Sequence, residues 1–292
     1  ITITGSTAVS IDSNAGVDNI TLSATAVETL VYNAATDSSG VEVDTITGFV
    51  SGTDKITVTI GTLTAGATFS DDYLGTATTQ LAADTALSGK AGQAIYISGN
   101  DELVIDVNGS GDANAGDLVI DINSAAFADG DINYIVAAGT GAETFEINTT
   151  SVKTISGFLV GTDKLSFDGM SAAGNATATT INTAATDAGV DGETYVFATD
   201  ADSGVANTDL DIVNNSANMT LVAAYLESQI TATDAHNYVA LINDSSNTSI
   251  TYMYAVDVNA VTTAADTIEA GDVTLIGTVT STTTAILATD MA

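Results

Sequence analysis

One stretch of this chain is written twice. Ile46-Thr-Gly-Phe-Val-Ser-Gly-Thr-Asp-Lys-Ile56 returns as Ile155-Ser-Gly-Phe-Leu-Val-Gly-Thr-Asp-Lys-Leu165, and upstream of it Glu28-Thr29-Leu30 is echoed by Glu143-Thr144-Phe145. Self-similarity of this kind means that one supersecondary unit is used twice. Downstream, each copy carries a second hallmark. In the first, Ala94-Ile-Tyr-Ile97 leads through Asp106-Val-Asn108 to Asp117-Leu-Val-Ile120; in the second, Tyr238-Val-Ala-Leu241 leads through Asp257-Val-Asn259 to Asp272-Val-Thr-Leu275. The copies predict two tandem modules, residues 1–125 and 126–292, divided between Asn123 and Asp129, the second lengthened by an insertion at about 171–233.

Around these hallmarks, short runs rich in Ile, Val, Thr and Tyr are separated by clusters of Gly, Asn and Asp, the pattern of strands and tight turns. Strands are predicted over 1–4, 20–22, 29–32, 55–60, 95–97, 103–107, 118–122, 237–242, 250–258 and 273–279. Two stretches read as helices. Residues 219–230 place Leu221, Val222, Tyr225, Leu226 and Ile230 at helical spacing behind Asn218 as a cap, and a weaker helix is predicted within 70–87 after Asp71 and Asp72. The fold class predicted is all-β: two tandem β-sandwich-like modules with one or two short satellite helices.

With 37 Asp and Glu against four Lys and no Arg, the formal net charge is −33. Such a surface repels nucleic acid and anionic membrane, and it destabilises a compact state unless cations screen or bridge it. Divalent cations are the natural counterpart. Cys is absent, so no disulfide staples the fold, and Pro is absent, so Gly, Asn, Asp and Ser must make every turn. No apolar stretch approaches the roughly 20 residues that span a bilayer, so membrane insertion is not expected. Because residue 1 is Ile, the chain reads as processed or as part of something longer.

The most informative short stretch is Asp106-Val-Asn-Gly-Ser-Gly-Asp-Ala-Asn-Ala-Gly-Asp117, in which oxygen-bearing side chains alternate along a loop and Gly111 stands where an EF-hand-type loop turns sharply. Calcium takes six to eight oxygens at about 2.3–2.6 Å, and alternate residues of a tightly turned loop point inward to supply them. Asp106, Asn108 and Ser110 would ligate first, Asp112 would offer its backbone carbonyl, and Asp117 would close the shell. The flanks read as strands, so the loop would staple two strands and not open a helix pair as a sensor does. The same residues also suit an ordinary acidic turn without metal. In the second copy Asp257 and Asn259 survive, the Gly is lost, and Asp266, Glu269 and Asp272 would have to complete a different cage. Asp200, Asp202, Asn207 and Asp209 form a further acidic turn, and Asp54 and Asp163 are expected to fix the repeated turn by side-chain to backbone bonds.

Gly139-Thr-Gly-Ala-Glu-Thr-Phe-Glu-Ile147 followed by the second repeated segment resembles the C-terminal parts of RTX-related bacterial type I secreted proteins, in which a Gly-x-Gly-Ala-Asp-Thr-Phe turn leads to an Ile-Thr-Asp-Phe-x-x-Gly-x-Asp-Lys-Ile strand pair. The stretch from Asp106 to Ile120 is similar to that family's Asp-x-Asn-Gly-Asp-Gly loop before Asp-Leu-Val-Ile. The resemblance implies calcium-dependent folding, export by type I secretion, and an extracellular role as a surface-layer protein, adhesin or exoenzyme. The chain lacks the tandem Gly-Gly-x-Gly-x-Asp nonapeptides, carries Gly48 and Gly157 where the family has Asp, and has Glu143 for Asp. Compact modules are therefore expected in place of a long parallel β-roll.

Catalysis asks for a base near neutrality, an activated nucleophile or a catalytic metal. His236 is the sole His, there is no Cys, no Arg and no His-Glu-x-x-His motif, and Trp, the usual sugar-stacking platform, is absent. No enzyme is expected. The sequence points to a calcium-dependent structural protein that self-assembles with its own copies into a surface layer or extracellular filament at the cell surface or in a matrix. The alternative is a calcium-dependent adhesin or glycan-binding module whose partner is a cell-surface polysaccharide. An ice-binding face is a weaker option, since Thr-x-Thr rows occur without one fixed period.

Overall fold

The computed structural model describes residues 1–40, 42–113, 116–123, 127–167, 179–181, 187–188, 194–197, 200, 210–231, 237–258 and 267–292. The protein is all-β with few helices, 42% strand, as the sequence predicts. Contacts divide it into two compact units, one of Ile1–Gly139 with Phe145–Lys153, the other of Thr140–Thr144 with Thr154–Ala292.

Unit 1 starts with β1 (Val9–Asp12), β2 (Asn19–Thr21), β3 (Glu28–Tyr32), β4 (Asp44–Thr47) and β5 (Lys55–Thr62). Successive strands fall in alternate sheets: β1, β3 and β5 are neighbours in one, β2 and β4 in another. Each turn carries the chain across to the other sheet instead of reversing it in a hairpin. Strands that are neighbours in a sheet therefore run parallel, β1 with β3, β3 with β5, β2 with β4. Two sheets were expected, and parallel coiling is the way the chain builds them. Register then stacks apolar side chains rung upon rung: Ile11 on Leu30, Leu30 on Ile56, and Ile20 on Ile46. All five are buried, because only alternate residues of each strand face inward.

The coil is interrupted by an excursion: β6 (Thr68–Ser70), β7 (Tyr73–Ala77), α1 (Gln80–Ala86), β8 (Ala94–Ile97) and β9 (Glu102–Ile105), before β10 (Leu118–Ile122) and β11 (Ile132–Ala137) resume it. Strand β10 joins β4 in parallel and β11 joins β5 in parallel. The excursion extends the second sheet to the order β2-β4-β10-β9-β8-β7, with β7 and β8 parallel and β8-β9-β10 antiparallel. Ala83 and Leu87 of the helical stretch pack on Ala77, Ile95, Ile97 and Val104. The helix expected within 70–87 is confined to its second half. Its cap is Thr79, whose hydroxyl accepts from Ala82 N, and not Asp71 or Asp72. Similarly, the strand expected over 1–4 is a single bridge between Thr2 and Thr21, with Ile3 N donating to Thr21 O at 2.8 Å.

Unit 1 also holds most of β12 (Thr144–Ile147), a neighbour of β6. In unit 2, β13 (Lys153–Phe158) leads to β14 (Lys164–Phe167), β15 (Thr179–Ile181), β16 (Asp187–Ala188), β17 (Thr194–Phe197), α2 (Ile212–Asn215), α3 (Met219–Gln229), β18 (Ile230–Thr231), β19 (Asn237–Asn243), β20 (Ile250–Asp257) and β21 (Val273–Ser281). Its main sheet runs β13-β21-β20-β19-β17-β15. Strands β17 and β19 are parallel around the helices, and β19-β20-β21 are antiparallel. The arrangement in β7-α1-β8-β9-β10 is thus repeated as β17-α2-α3-β19-β20-β21. Helix α3 lies where the spacing put it, with Asn218 accepting from Leu221 N. It seats Val222, Tyr225 and Leu226 among Tyr195, Phe197 and Tyr254, whereas Leu221 is exposed.

The repeated segment makes the same Asp-held turn in both copies, although the strand before it ends at Thr47 in the first and runs on to Phe158 in the second. Asp54 accepts from Glu28 N at 3.0 Å through Oδ1 and from Val50 N at 2.8 Å through Oδ2. Asp163 accepts from Glu143 N at 3.0 Å and from Leu159 N at 2.7 Å in the same way. Both carboxylates are 0% exposed. Gly48 and Gly157 have φ of +85° and +74°, and a Cβ at Gly48 would meet Leu22 O at 2.9 Å, so the Asp of the related pattern has no place there. The adjoining lysines reach past these Asp residues: Lys55 donates to Gly130 O and pairs with Asp131 at 3.8 Å, and Lys164 donates to Thr289 O.

Asp54→Ala or Asp163→Ala leaves two interior N–H groups without an acceptor, a cost of about 2–4 kcal/mol. Urea unfolding of each variant should show a loss of that order, alike for the two; unfolding at the wild-type midpoint would contradict the equivalence. Glu28, fully buried against Asp54, has its carboxyl pushed above the usual range, chiefly by burial and further by the Asp54 charge. A raised folded value means that this group's contribution is present at acid pH and is lost as pH rises through that value. In chelator, wild type should therefore gain stability on mild acidification from pH 7, relative to Glu28→Gln, whose amide mimics the protonated acid. Parallel pH profiles for the two proteins would refute it.

Candidate metal centre

The loop from Asp106 to Asp117 joins two antiparallel strands, β9 and β10, as its flanks predict. The last ladder pair is Ile105 with Leu118, so Asp106 and Asp117 enter and leave the loop side by side, and both are 0% exposed. The Asp106 carboxylate is turned into the loop. Its Oδ1 accepts from Gly109 N at 2.6 Å and Ser110 N at 3.1 Å, and its Oδ2 accepts from Gly111 N at 2.8 Å. Asn108 donates through Nδ2 to Asp117 Oδ1 at 2.8 Å. The Ser110 hydroxyl accepts from Asp112 N and donates to Asp112 O, each at 3.2 Å. Gly111 has φ +77°, and a Cβ on it would press on Gly89 N at 3.0 Å, so the loop lies close over 88–91. From the other side, Asp84 of α1 accepts from Ala113 N at 3.0 Å.

This donor set suits a hard divalent cation in kind, being all oxygen. Its present arrangement is that of a turn held by its own amides. Among the described residues, no group of three or more His, Cys, Asp or Glu is arranged to hold a metal ion.

The second copy repeats the placement. Val256 pairs with Val273, so Asp257 and Asp272 stand beyond the end of the β20–β21 ladder as Asp106 and Asp117 do beyond β9–β10. Asp257 is exposed, and Asp272 closes a 3₁₀ turn by accepting from Glu269 N at 2.8 Å. Asn259 and Asp266 lie outside the described residues, as do Asp202, Asn207, Asp209 and His236. Asp200 is buried and accepts from Ile212 N at 2.9 Å and Ser245 N at 3.0 Å, a tie between segments of unit 2.

The sequence reading missed a second polar centre in unit 1. Lys153 Nζ lies 2.5 Å from Asp71 Oδ2, and both side chains are 0% exposed. Asp71 Oδ1 accepts from Asn148 N at 2.9 Å, and its Oδ2 accepts from the Ser151 hydroxyl at 2.9 Å. Lys153 Nζ also donates to Asn148 O at 2.5 Å. Burial above all pulls the lysine pKa down, against the opposing pull of Asp71, Asp129 and Asp72. Asp129 in turn is pushed up, first by burial. The signal was present: Lys153 shares the inward phase of β13 with Ile155, and a charge on that phase needs a buried partner.

Serralysin C-terminal domains bind calcium and belong to proteins exported by type I secretion, and the domain is the non-catalytic part of the serralysins. No described helix is long and apolar enough to cross a membrane. No curated protein and no solved structure matches the chain. Residues 3–132, which include the first Gly-Thr-Asp-Lys turn and the whole loop from Asp106 to Asp117, match the family described as Peptidase M10 serralysin C terminal, and for that part of the chain the serralysin-like resemblance is shown.

Proposed function

We propose that this chain is a calcium-binding structural part of a type I secreted protein, not an enzyme, and that it assembles with its own copies into a surface layer or extracellular filament. The observation that supports this most is how the parallel sheets of unit 1 end. Strand β1 is the last in its sheet among the described residues, and β2 is followed only by the bridge at Thr2. Sheet edges are ready templates for a further strand, and in a parallel stack the next rung repeats the geometry of the last. Residues 1–3 pair with Thr21 and β1 pairs with β3, each on one side.

Calcium serves this reading twice. Between copies that each carry −33, it bridges at short range what monovalent salt screens only beyond about 10 Å at 0.1 M. Within the chain, Asp106, Asn108, Ser110, Asp112 and Asp117 supply the first loop, and Asp257, Asn259 and Asp272 the second. Binding to the folded state alone adds about 2.7 kcal/mol at a hundredfold excess over Kd.

Light scattering and electron microscopy in millimolar calcium should reveal ordered assemblies that dissolve on chelation; a monomer under both conditions overturns assembly. For the loop, Asp117→Asn keeps the acceptor for Asn108 and removes the charge. It should melt like wild type in chelator and lose most of the calcium-dependent rise in Tm. An undiminished rise would remove Asp117 from the ligand set.

A further inference from the structure

The chain has only four lysines, and it spends one of them where lysine is costliest. Lys153 and Asp71, far apart in sequence, meet inside unit 1 with no exposure of either side chain. Buried aromatic rings pack nearby: Phe69 lies edge-on against Tyr134 and tilted against Phe145. The Tyr134 hydroxyl has no hydrogen-bond partner, although it senses the charges of Asp71, Asp129 and Asp72. A simple ion pair gains little net stability in such a place, because the loss of hydration offsets the attraction. An amide bond between the same two side chains removes both charges.

We propose that Lys153 and Asp71 condense to an intramolecular isopeptide bond that cross-links the excursion of unit 1 to the start of β13. An Nζ 2.5 Å from Oδ2 is also within reach of Cγ, one bond further on, and the Asn148 and Ser151 contacts hold the carboxyl in place. The step balances within the pair. Return of one proton from the ammonium to the carboxylate gives a neutral amine and a carboxylic acid. The Nζ lone pair attacks Cγ, the C–N bond forms, the C–OH bond breaks, and water leaves carrying the second proton shed by the nitrogen. No oxidant or cofactor is consumed. Asn148 N and the Ser151 hydroxyl, which donate to the two carboxyl oxygens of Asp71, are the donors placed at the reacting group. The bond gives a chain without Cys a covalent closure that does not depend on redox conditions.

The test is the mass of the denatured full chain. The expected value is the sequence mass less one water, and chymotryptic digestion should yield a branched peptide containing both Asp71 and Lys153. Lys153→Met and Asp71→Ala should each carry their full sequence mass and melt at lower temperature. If these variants do not fold, the wild-type mass still decides. A wild-type chain of full sequence mass, with Asp71 and Lys153 on separate peptides, overturns the proposal. Loss of ammonia, with a branch at Asn148, overturns Asp71 as the partner.

Discussion

Buried aspartates that accept two or three backbone N–H groups are the interaction on which the rest of this structure rests. A coil whose every turn crosses between sheets needs turns of fixed shape, and this chain has neither Pro to stiffen them nor Cys to pin them. Asp54, Asp106, Asp163 and Asp200 each gather N–H groups from two places or from one tight loop. Asp131 does the same at a 3₁₀ turn, taking Gly52 N at 2.7 Å and Ala128 N at 2.9 Å, and Asp290 takes Gly161 N at 2.7 Å and Leu287 N at 2.9 Å. A charged acceptor makes a stronger bond than a neutral one and satisfies amides that no ladder reaches. Part of the −33 is thus interior framework, and only the remainder is a surface that repels its copies.

That distinction bears on how the calcium loop should be understood. The spacing of oxygens from Asp106 to Asp117 suits an ion, but the same spacing lets one carboxylate cap three successive amides, and Asp106 does so. Alternation of polar residues around Gly serves both chemistries because both need a small ring of dipoles pointed at one centre. Sequence alone leaves the two open for this reason, and the geometry adds that the described start of the loop is closed by the Asp106 carboxylate on the amides of Gly109, Ser110 and Gly111.

Much of the fold was legible. The strands from β8 to β10 and from β19 to β21 fall within a residue or two of their apolar runs, and Asn218 caps α3 as its position suggests. What could not be read was direction. A Gly- or Asp-rich turn between two alternating runs looks the same whether it folds the chain back as a hairpin or carries it to the opposite sheet. The pairing of β1 with β3 and of β2 with β4 is therefore invisible locally. Asp71 and Asp72 misled for a related reason, since an Asp ahead of an Ala-rich run reads as a cap, whereas Asp71 is committed to Asn148, Ser151 and Lys153 far along the chain.

The duplication itself follows a physical logic. In each copy the Asp of Gly-Thr-Asp-Lys binds the amide of a Glu upstream, while the following Lys reaches a carbonyl just before a 3₁₀-turn Asp downstream, Gly130 in one and Thr289 in the other. One short segment thus ties three stretches of its unit, and its conservation between copies follows from geometry, since any change must satisfy all three at once. Between these ties the requirements are looser. The connection carrying α1 is short and the one carrying α2 and α3 is long, yet each places a parallel strand beside the first strand of an antiparallel trio. Length varies where only apolar cover is required, and residues are fixed where buried charge must meet its amides.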